Sequence, residues 1–291
     1  MNNIIRIVLL CLICTTVEAQ SLGEINIKVT RVSESVYMLE GRGGNIGLLA
    51  GKDNNLMIDD QFAQLSKTIK AYINGINSKP IYYLLNTHWH GDHTGGNANF
   101  AEQGSIIIAQ DNVRERLVKA QREKEDFNDL SLPQLTFSNA MHLYFEGEEI
   151  HFLHFHHGHT DGDAMVYFVN NNVLHTGDLF FSGRYPYIDL NSGGSVDGYI
   201  KAVETALQII NEDTKIIPGH GSLSTYSDYV RFLEMLKELR NNVQKAIDSG
   251  KTQEAIIADE SITQTYDDLG YGNGFINGER LRSIFYTSLK K

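Results

Sequence analysis

The chain has 291 residues, 42% hydrophobic and 21% charged, a composition that can bury a sizeable core and is neither fibrous nor disordered. Its 25 Lys and Arg stand against 36 Asp and Glu, a formal net charge of -11. That balance excludes a phosphate-tracking nucleic-acid binder, which needs a basic face, but leaves room for an anionic small substrate where a metal or one Arg dominates a cleft.

Arg6, the unbroken apolar run Ile7 to Cys14 and then Val17-Glu18-Ala19 read as a secretory signal over residues 1–19, too short for a membrane span. It predicts a periplasmic or secreted protein that begins near Gln20. No later stretch approaches the roughly 20 apolar residues of a transmembrane helix. Both cysteines, Cys11 and Cys14, fall inside the signal. A mature chain without thiols has no disulfide, thiolate nucleophile or thiolate ligand, so its chemistry must come from His, carboxylates, hydroxyls or a metal.

Strand-like runs follow at Ile25 to Val29 and Val36 to Glu40. The Gly-rich turn Gly41 to Gly47 leads into Leu48-Leu49-Ala50 and Asn55 to Ile58. That turn lacks the Lys-Ser/Thr ending of a phosphate loop and reads as a mobile hairpin. Ile69 to Ile76 reads helical, Ile81 to Leu85 and Ser105 to Ala109 as buried strands, and Asp111 to Lys124 as a charged helix. In the second half, Met141 to Phe145, Ile150 to Phe155, Ala164 to Val169 and Val173 to Thr176 read as strands. Ser195 is an expected N-cap before the 3.6-residue stripe Val196, Tyr199, Ile200, Val203, Leu207 and Ile210. A short strand, Lys215 to Ile217, ends at Pro218-Gly219-His220, and a long helix runs from Tyr226 to Asp248. Beyond Lys251 the chain reads as a small helical tail with Phe275, Leu281, Ile284 and Phe285 as its apolar side. The pattern is α/β, two sheets packed together with helices outside.

Eleven histidines are unevenly placed. Asn86-Thr87-His88-Trp89-His90-Gly91-Asp92-His93-Thr94 directly follows a strand pattern. His and Asp crowded at one strand end are costly unless something binds them, and neutral imidazole with carboxylate is the donor set zinc takes when thiolate is absent. His142 and His151 read as satisfied polar residues. His154, His156, His157 and His175 read as structural or as supports of nearby ligands. Ser182 has no G-x-S-x-G context, which argues against a serine hydrolase.

The H-x-H-x-D-H run resembles the signature of the metallo-β-lactamase superfamily, and further motifs appear in that family's order. These are Asp59 after Leu56-Met57-Ile58, His159 in Gly158-His159-Thr160, Asp178 in Thr176-Gly177-Asp178 and His220 in Pro218-Gly219-His220-Gly221. The resemblance covers Ile25 to His220. It implies a four-layered αββα sandwich over residues 20–250, with 251–291 as a C-terminal helical tail outside it. It also implies two Zn2+ ions per chain: one held by His88, His90 and His159, the other by Asp92, His93 and His220, with Asp178 bridging. Asp59 would stand behind the metal loop. Asp92 would also be catalytic, orienting a metal-activated hydroxide and passing a proton to the leaving group.

The resemblance implies a hydrolase with a small-molecule substrate. A Cys ligand, found in the best-known clinical β-lactamases, is missing, and an Asp bridge is the pattern of glyoxalase II-type thioesterases. Export favours β-lactams, lactones or extracellular esters over a cytosolic glutathione thioester. Three readings stand: a β-lactamase-like zinc hydrolase of an amide or ester carbonyl first, a glyoxalase II-like thioesterase second, a mononuclear iron persulfide dioxygenase third. Arg184, beside Tyr185 and Tyr187, suits a substrate carboxylate or is a solvated loop residue, and Asn45 and Asn191 are further candidates.

Overall fold

Adjacent apolar residues in the strands face opposite ways, so each strand can feed two cores. β1 Lys28–Arg31, β2 Val36–Glu40, β3 Ile46–Ala50, β4 Asn55–Ile58, β5 Ile81–Leu85, β6 Ile106–Gln110 and β7 Leu135–Phe137 form one sheet in that order. A second sheet comprises β8 Ala140–Phe145, β9 Glu148–His154, β10 Ala164–Phe168, β11 Val173–His175, β12 Lys215–Ile217 and β13 Ser224–Thr225. Its spatial order is β13-β12-β11-β10-β9-β8. The computed structural model describes residues 26–122 and 127–290; the expected export signal lies outside them, as does the expected helix end at Lys124.

Met38, Leu49, Leu56, Ile58, Leu85 and Ile108 of the first sheet meet Ile150, Phe152, Val166, Phe168 and Ile217 of the second in a central core. Their immediate neighbours Leu39, Leu48, Met57, Leu84 and Ile107 point to the opposite face. There they pack under α1 Ser66–Ile76 and, beyond α2 Gly91–Thr94, under Phe100 of α3 Asn97–Ala101. The charged α4 Asp111–Arg122 follows β6.

On the outer face of the second sheet, Met165, Tyr167, Leu174 and Ile216 pack under α5 Val196–Ile209 and α6 Tyr226–Asp248. Side-chain caps fix where both helices start: Ser195 accepts from the Gly198 amide, and Thr225 with Asp228 forms a capping box. The result is the expected αββα sandwich. The C-terminal segment adds α7 Gln253–Ala258, α8 Gln264–Asp267 and α9 Gly278–Leu289. Ile256, Leu281 and Phe285 insert into the same core as α5 and α6. Among the described residues no helix is long and apolar enough to cross a membrane.

Strand direction positions the site. β4 and β5 are parallel, so Asp59 and the His88–His93 loop leave from neighbouring carboxyl ends. β11 and β12 are parallel, and β9 and β11 both run against β10. His159, Asp178 and His220 therefore leave from carboxyl ends on one edge of the second sheet.

Candidate metal centre

Two groups of ligand atoms meet at this edge: His88, His90, His159 and Asp178 in one, and Asp92, His93 and His220 in the other. The structure thus brings together all seven residues expected from the sequence. His90 Nδ1 lies 3.2 Å from His88 Nε2 and 2.9 Å from His159 Nε2.

The outward nitrogens decide which inward ones carry lone pairs. His159 Nδ1 faces the Tyr187 carbonyl at 2.8 Å and must donate to it. His90 Nε2 faces the Asp189 carboxylate at 3.1 Å and donates likewise. The Thr87 hydroxyl donates to Asp59 at 2.8 Å, so its oxygen accepts from His88 Nδ1 at 3.1 Å. Three lone pairs then converge with no proton between them. That arrangement is repulsive by itself and favourable around a cation, each imidazole being oriented by an outer partner.

The second group is built the same way. Asp59 is fully buried; it accepts from the Thr87 amide at 2.8 Å and from His93 Nδ1 at 2.7 Å, which turns His93 Nε2 inward. Asp178 spans both groups. Its Oδ1 lies 3.1 Å from His93 Nε2 and 3.4 Å from His220 Nε2, and its Oδ2 lies 3.5 Å from His159 Nε2 and 3.8 Å from His88 Nε2. His93 Nε2 and Asp178 Oδ1 are close, yet neither makes an aligned hydrogen bond. Buried polar atoms left in that state are rare. They fit a divalent metal, as does the donor chemistry. Asp92 Oδ2 completes the group, 3.4 Å from His220 Nε2 and 3.6 Å from His93 Nε2.

Burial holds His88 well below the usual imidazole range and takes His159 down to about 4, so both are neutral ligands at pH 7. Burial would raise Asp178, but His220 and His93 outweigh it and hold the carboxyl well below the usual range. Asp92 falls to about 2, where His93 and His220 overcome its own burial. At the second group burial would lower His93 and His220, but the neighbouring carboxylates, Asp178 foremost, outweigh it. They raise His93 well above the usual imidazole range and His220 to about 9, so a cation entering there must displace protons from both.

The glycines nearest the centre are there for space. A Cβ on Gly44 would collide with the His93 ring, and one on Gly219 would collide with Asp178 Oδ1. The Gly41 to Gly47 turn is therefore an anchored wall of the site, where the sequence suggested a mobile hairpin: the Gly44 amide donates to the Asp92 carbonyl, and Asn45 donates to the carbonyls of Pro218 and Gly221. Asn45 holds two loops together and is not free to bind substrate. His154, His157 and His175 bond backbone carbonyls of Asp163, Gly193 and Asn45, and none joins the cluster.

Above the ligands opens a cavity of about 510 Å3. His90, Asp92, Asp178 and His220 line its base, while Phe62, Phe181, Tyr187 and Phe275 give it aromatic walls, with Arg184 its one cationic side chain among the described residues. Two residues of the site are not marked by the sequence motifs. Asp189, the partner of His90, stands outside them. Phe275, expected on the apolar side of the helical tail, is instead 69% exposed on the loop before α9, 5.7 Å edge-on from Tyr187. The run Gly270 to Gly274, with Asn277 capping α9 through the Arg280 amide, was the available signal that Phe275 precedes the helix.

Asp189→Ala removes the acceptor that fixes His90 Nε2. Metal affinity of the first group is expected to fall by about 10–100-fold, with Asp189→Asn milder because its amide oxygen still accepts. Chelator competition measures this; unchanged affinity in the Ala variant would mean that other contacts orient His90.

An αββα sandwich with this donor set at the strand ends defines a metal-dependent hydrolase. The chain belongs to the metallo-β-lactamase superfamily, whose family model matches residues 39–220. It is 30% identical over 149 residues to the hydroxyacylglutathione hydrolase GloC of Haemophilus influenzae, a match spanning 49% of this chain and 69% of that protein. A metallo-β-lactamase from Pontibacter korlensis superposes with a TM-score of 0.63 over 73% of this chain and 99% of its own, at 18% identity. A double mutant of the sec-alkyl sulfatase PisA1 reaches a TM-score of 0.69 over 90% of this chain and 50% of its own, at 16% identity. At such identities the last two likenesses concern the fold alone.

Proposed function

We propose that this chain is an exported dinuclear zinc hydrolase that cleaves an ester or cyclic-amide carbonyl, of lactone or β-lactam type, in a substrate with an apolar body and one anionic group. The observation that carries the reading is the convergence of three imidazole lone pairs and a spanning carboxylate at the base of an aromatic cavity. His88, His90 and His159 would hold one ion, Asp92, His93 and His220 the other, and Asp178 would serve both. Such a pair supplies Lewis acidity and a water acidified toward neutrality. The chain's own residues supply the rest. Phe62, Phe181 and Phe275 exclude water from the acyl body, and Arg184 suits a carboxylate at the rim. Asp92, half-buried beside His220, would orient the attacking water and pass a proton to the leaving group.

A thioester substrate is the second reading, favoured by the resemblance to hydroxyacylglutathione hydrolases. The aromatic walls argue for an apolar acyl or leaving group, since a hydrophilic peptide leaves such surface unused. Metal counting by mass spectrometry alongside a panel of β-lactams, lactones and thioesters tests both. Two zinc ions with lactone or β-lactam turnover support the first reading, and preference for thioesters replaces it with the second. One tightly held iron overturns both.

Export rests on Arg6, the apolar run Ile7 to Cys14 and Val17-Glu18-Ala19. The mature protein is expected to begin near Gln20; N-terminal sequencing of extracytoplasmic material that still starts at Met1 would refute it.

A further inference from the structure

A third group of ligands lies outside the site. In the β8–β9 hairpin, His142 and His151 stand directly opposite each other, and Tyr144 stands opposite Glu149. Ile150 and Phe152 point into the central core, so Glu149 and His151 point outward by strand alternation. On the next strand the outward Tyr167 is packed under the helical layer, and His151 meets it edge-on at 6.4 Å. At the hairpin that cover gives way, leaving His142 exposed and His151 and Glu149 half-buried.

The two imidazoles lie face to face, ring centres 4.0 Å apart and planes within 11°. His151 Nε2 is 2.8 Å from Glu149 Oε1. Ligand atoms of all three residues lie within 4.8 Å of one another. Bond lengths of about 2.0–2.2 Å around a tetrahedral zinc require donors about 3.3–3.6 Å apart. To reach that spacing the rings must turn out of their parallel stack, and the exposed His142 and the half-buried His151 and Glu149 have solvent-facing ends on which to do so. Two stacked imidazoles cannot both be protonated without repulsion, whereas rings turned so that one nitrogen of each faces a shared point beside Glu149 would offer a cation two lone pairs and the carboxylate charge together.

We propose that His142, Glu149 and His151 form a surface site for one further divalent transition-metal ion, Zn2+, separate from the centre at the strand ends. β8 is the terminal strand of its sheet. An ion held by ligands from both β8 and β9 would clip that edge strand to its neighbour, and β9 leads directly toward the His159 loop.

The test compares the purified holoprotein with His142→Gln/His151→Gln and Glu149→Gln after equilibrium dialysis against micromolar Zn2+ and metal counting. The parent is expected to hold one more zinc per chain than the double variant, with hydrolytic activity equal in the two. Titrating Zn2+ past the filling of the centre should raise the parent's melting temperature and leave that of the double variant unmoved. Glu149→Gln should bind the extra ion more weakly. Because the reading is a difference between parent and variant, it is independent of how many ions the centre itself holds. Equal zinc counts in parent and double variant, or an extra ion that persists in the double variant, would overturn the site.

Discussion

His90→Ala should lose at least one bound metal ion and reduce turnover by more than about 100-fold, beyond the roughly 10–100-fold that loss of an outer partner alone costs. The size of the effect follows from where Nδ1 sits. It lies within 3.2 Å of His88 Nε2 and within 2.9 Å of His159 Nε2, at the meeting point of the first group. Removing it leaves two imidazoles and one shared carboxylate oxygen to hold an ion. It also takes one partner from Asp189, whose carboxylate keeps the amides of Asn191 and Ser192. The ring is partly exposed and outside the three apolar cores, so the fold should survive with little loss of melting temperature. Metal counting, activity and thermal melting on one preparation separate these effects. Full metal content in a folded variant would show that the H-x-H-x-D-H loop does not bind metal.

The sequence revealed much of this site because its residues are clustered and chemically unusual. Four of the seven ligand residues lie within six positions, at the end of a strand whose apolar run is visible by itself. The remaining three each follow a strand and a glycine, a local signature. The boundaries of α6 were legible for the same reason: Thr225 and Asp228 mark its start, and the apolar period runs to its end. What could not be read was contact between distant segments. Asp189 reaches His90 across 99 residues, and locally it looks only like the cap of a short turn, accepting from the amides of Asn191 and Ser192. Two positions apart on an extended segment, His88 and His90 can face the same way, but that spacing does not show that they present different nitrogens. Thr87 and Asp189, arriving from opposite sides, decide that.

Phe275 was misplaced for a different reason. Its apolar ring suggests the buried side of the tail, but six residues before Leu281 is about 240° around a helix, off that stripe, and Asn277 starts α9 only after it. The loop that carries Phe275 is fastened to the rim: the Tyr185 amide donates to the Tyr271 carbonyl, and the Tyr185 hydroxyl bonds the Thr263 carbonyl and Asp267. Arg280 stacks its guanidinium over the Phe275 ring at 4.4 Å. The C-terminal segment thus both closes the core under α6 and walls the cavity above the metal ligands.

Asp178→Asn is expected to bind the first ion nearly as the parent does and to lose affinity for the second by more than about 100-fold, with turnover falling alongside. The carboxylate divides its oxygens between the two groups, Oδ1 toward His93 and His220, Oδ2 toward His88 and His159. Asparagine fills the same volume, but it carries no charge and turns one of these atoms into a donor facing imidazole lone pairs. The first group retains three imidazoles fixed by Thr87, Asp189 and the Tyr187 carbonyl. The second has only His93, His220 and the half-buried Asp92, and it loses the anion that offsets repulsion between two dications. The asymmetry is the informative part, because general destabilisation of the edge would weaken both ions together. Equilibrium dialysis followed by metal counting distinguishes the cases. Two ions held with parental affinity would remove Asp178 from the ligand set, and the bridged arrangement of the proposed centre would fail with it.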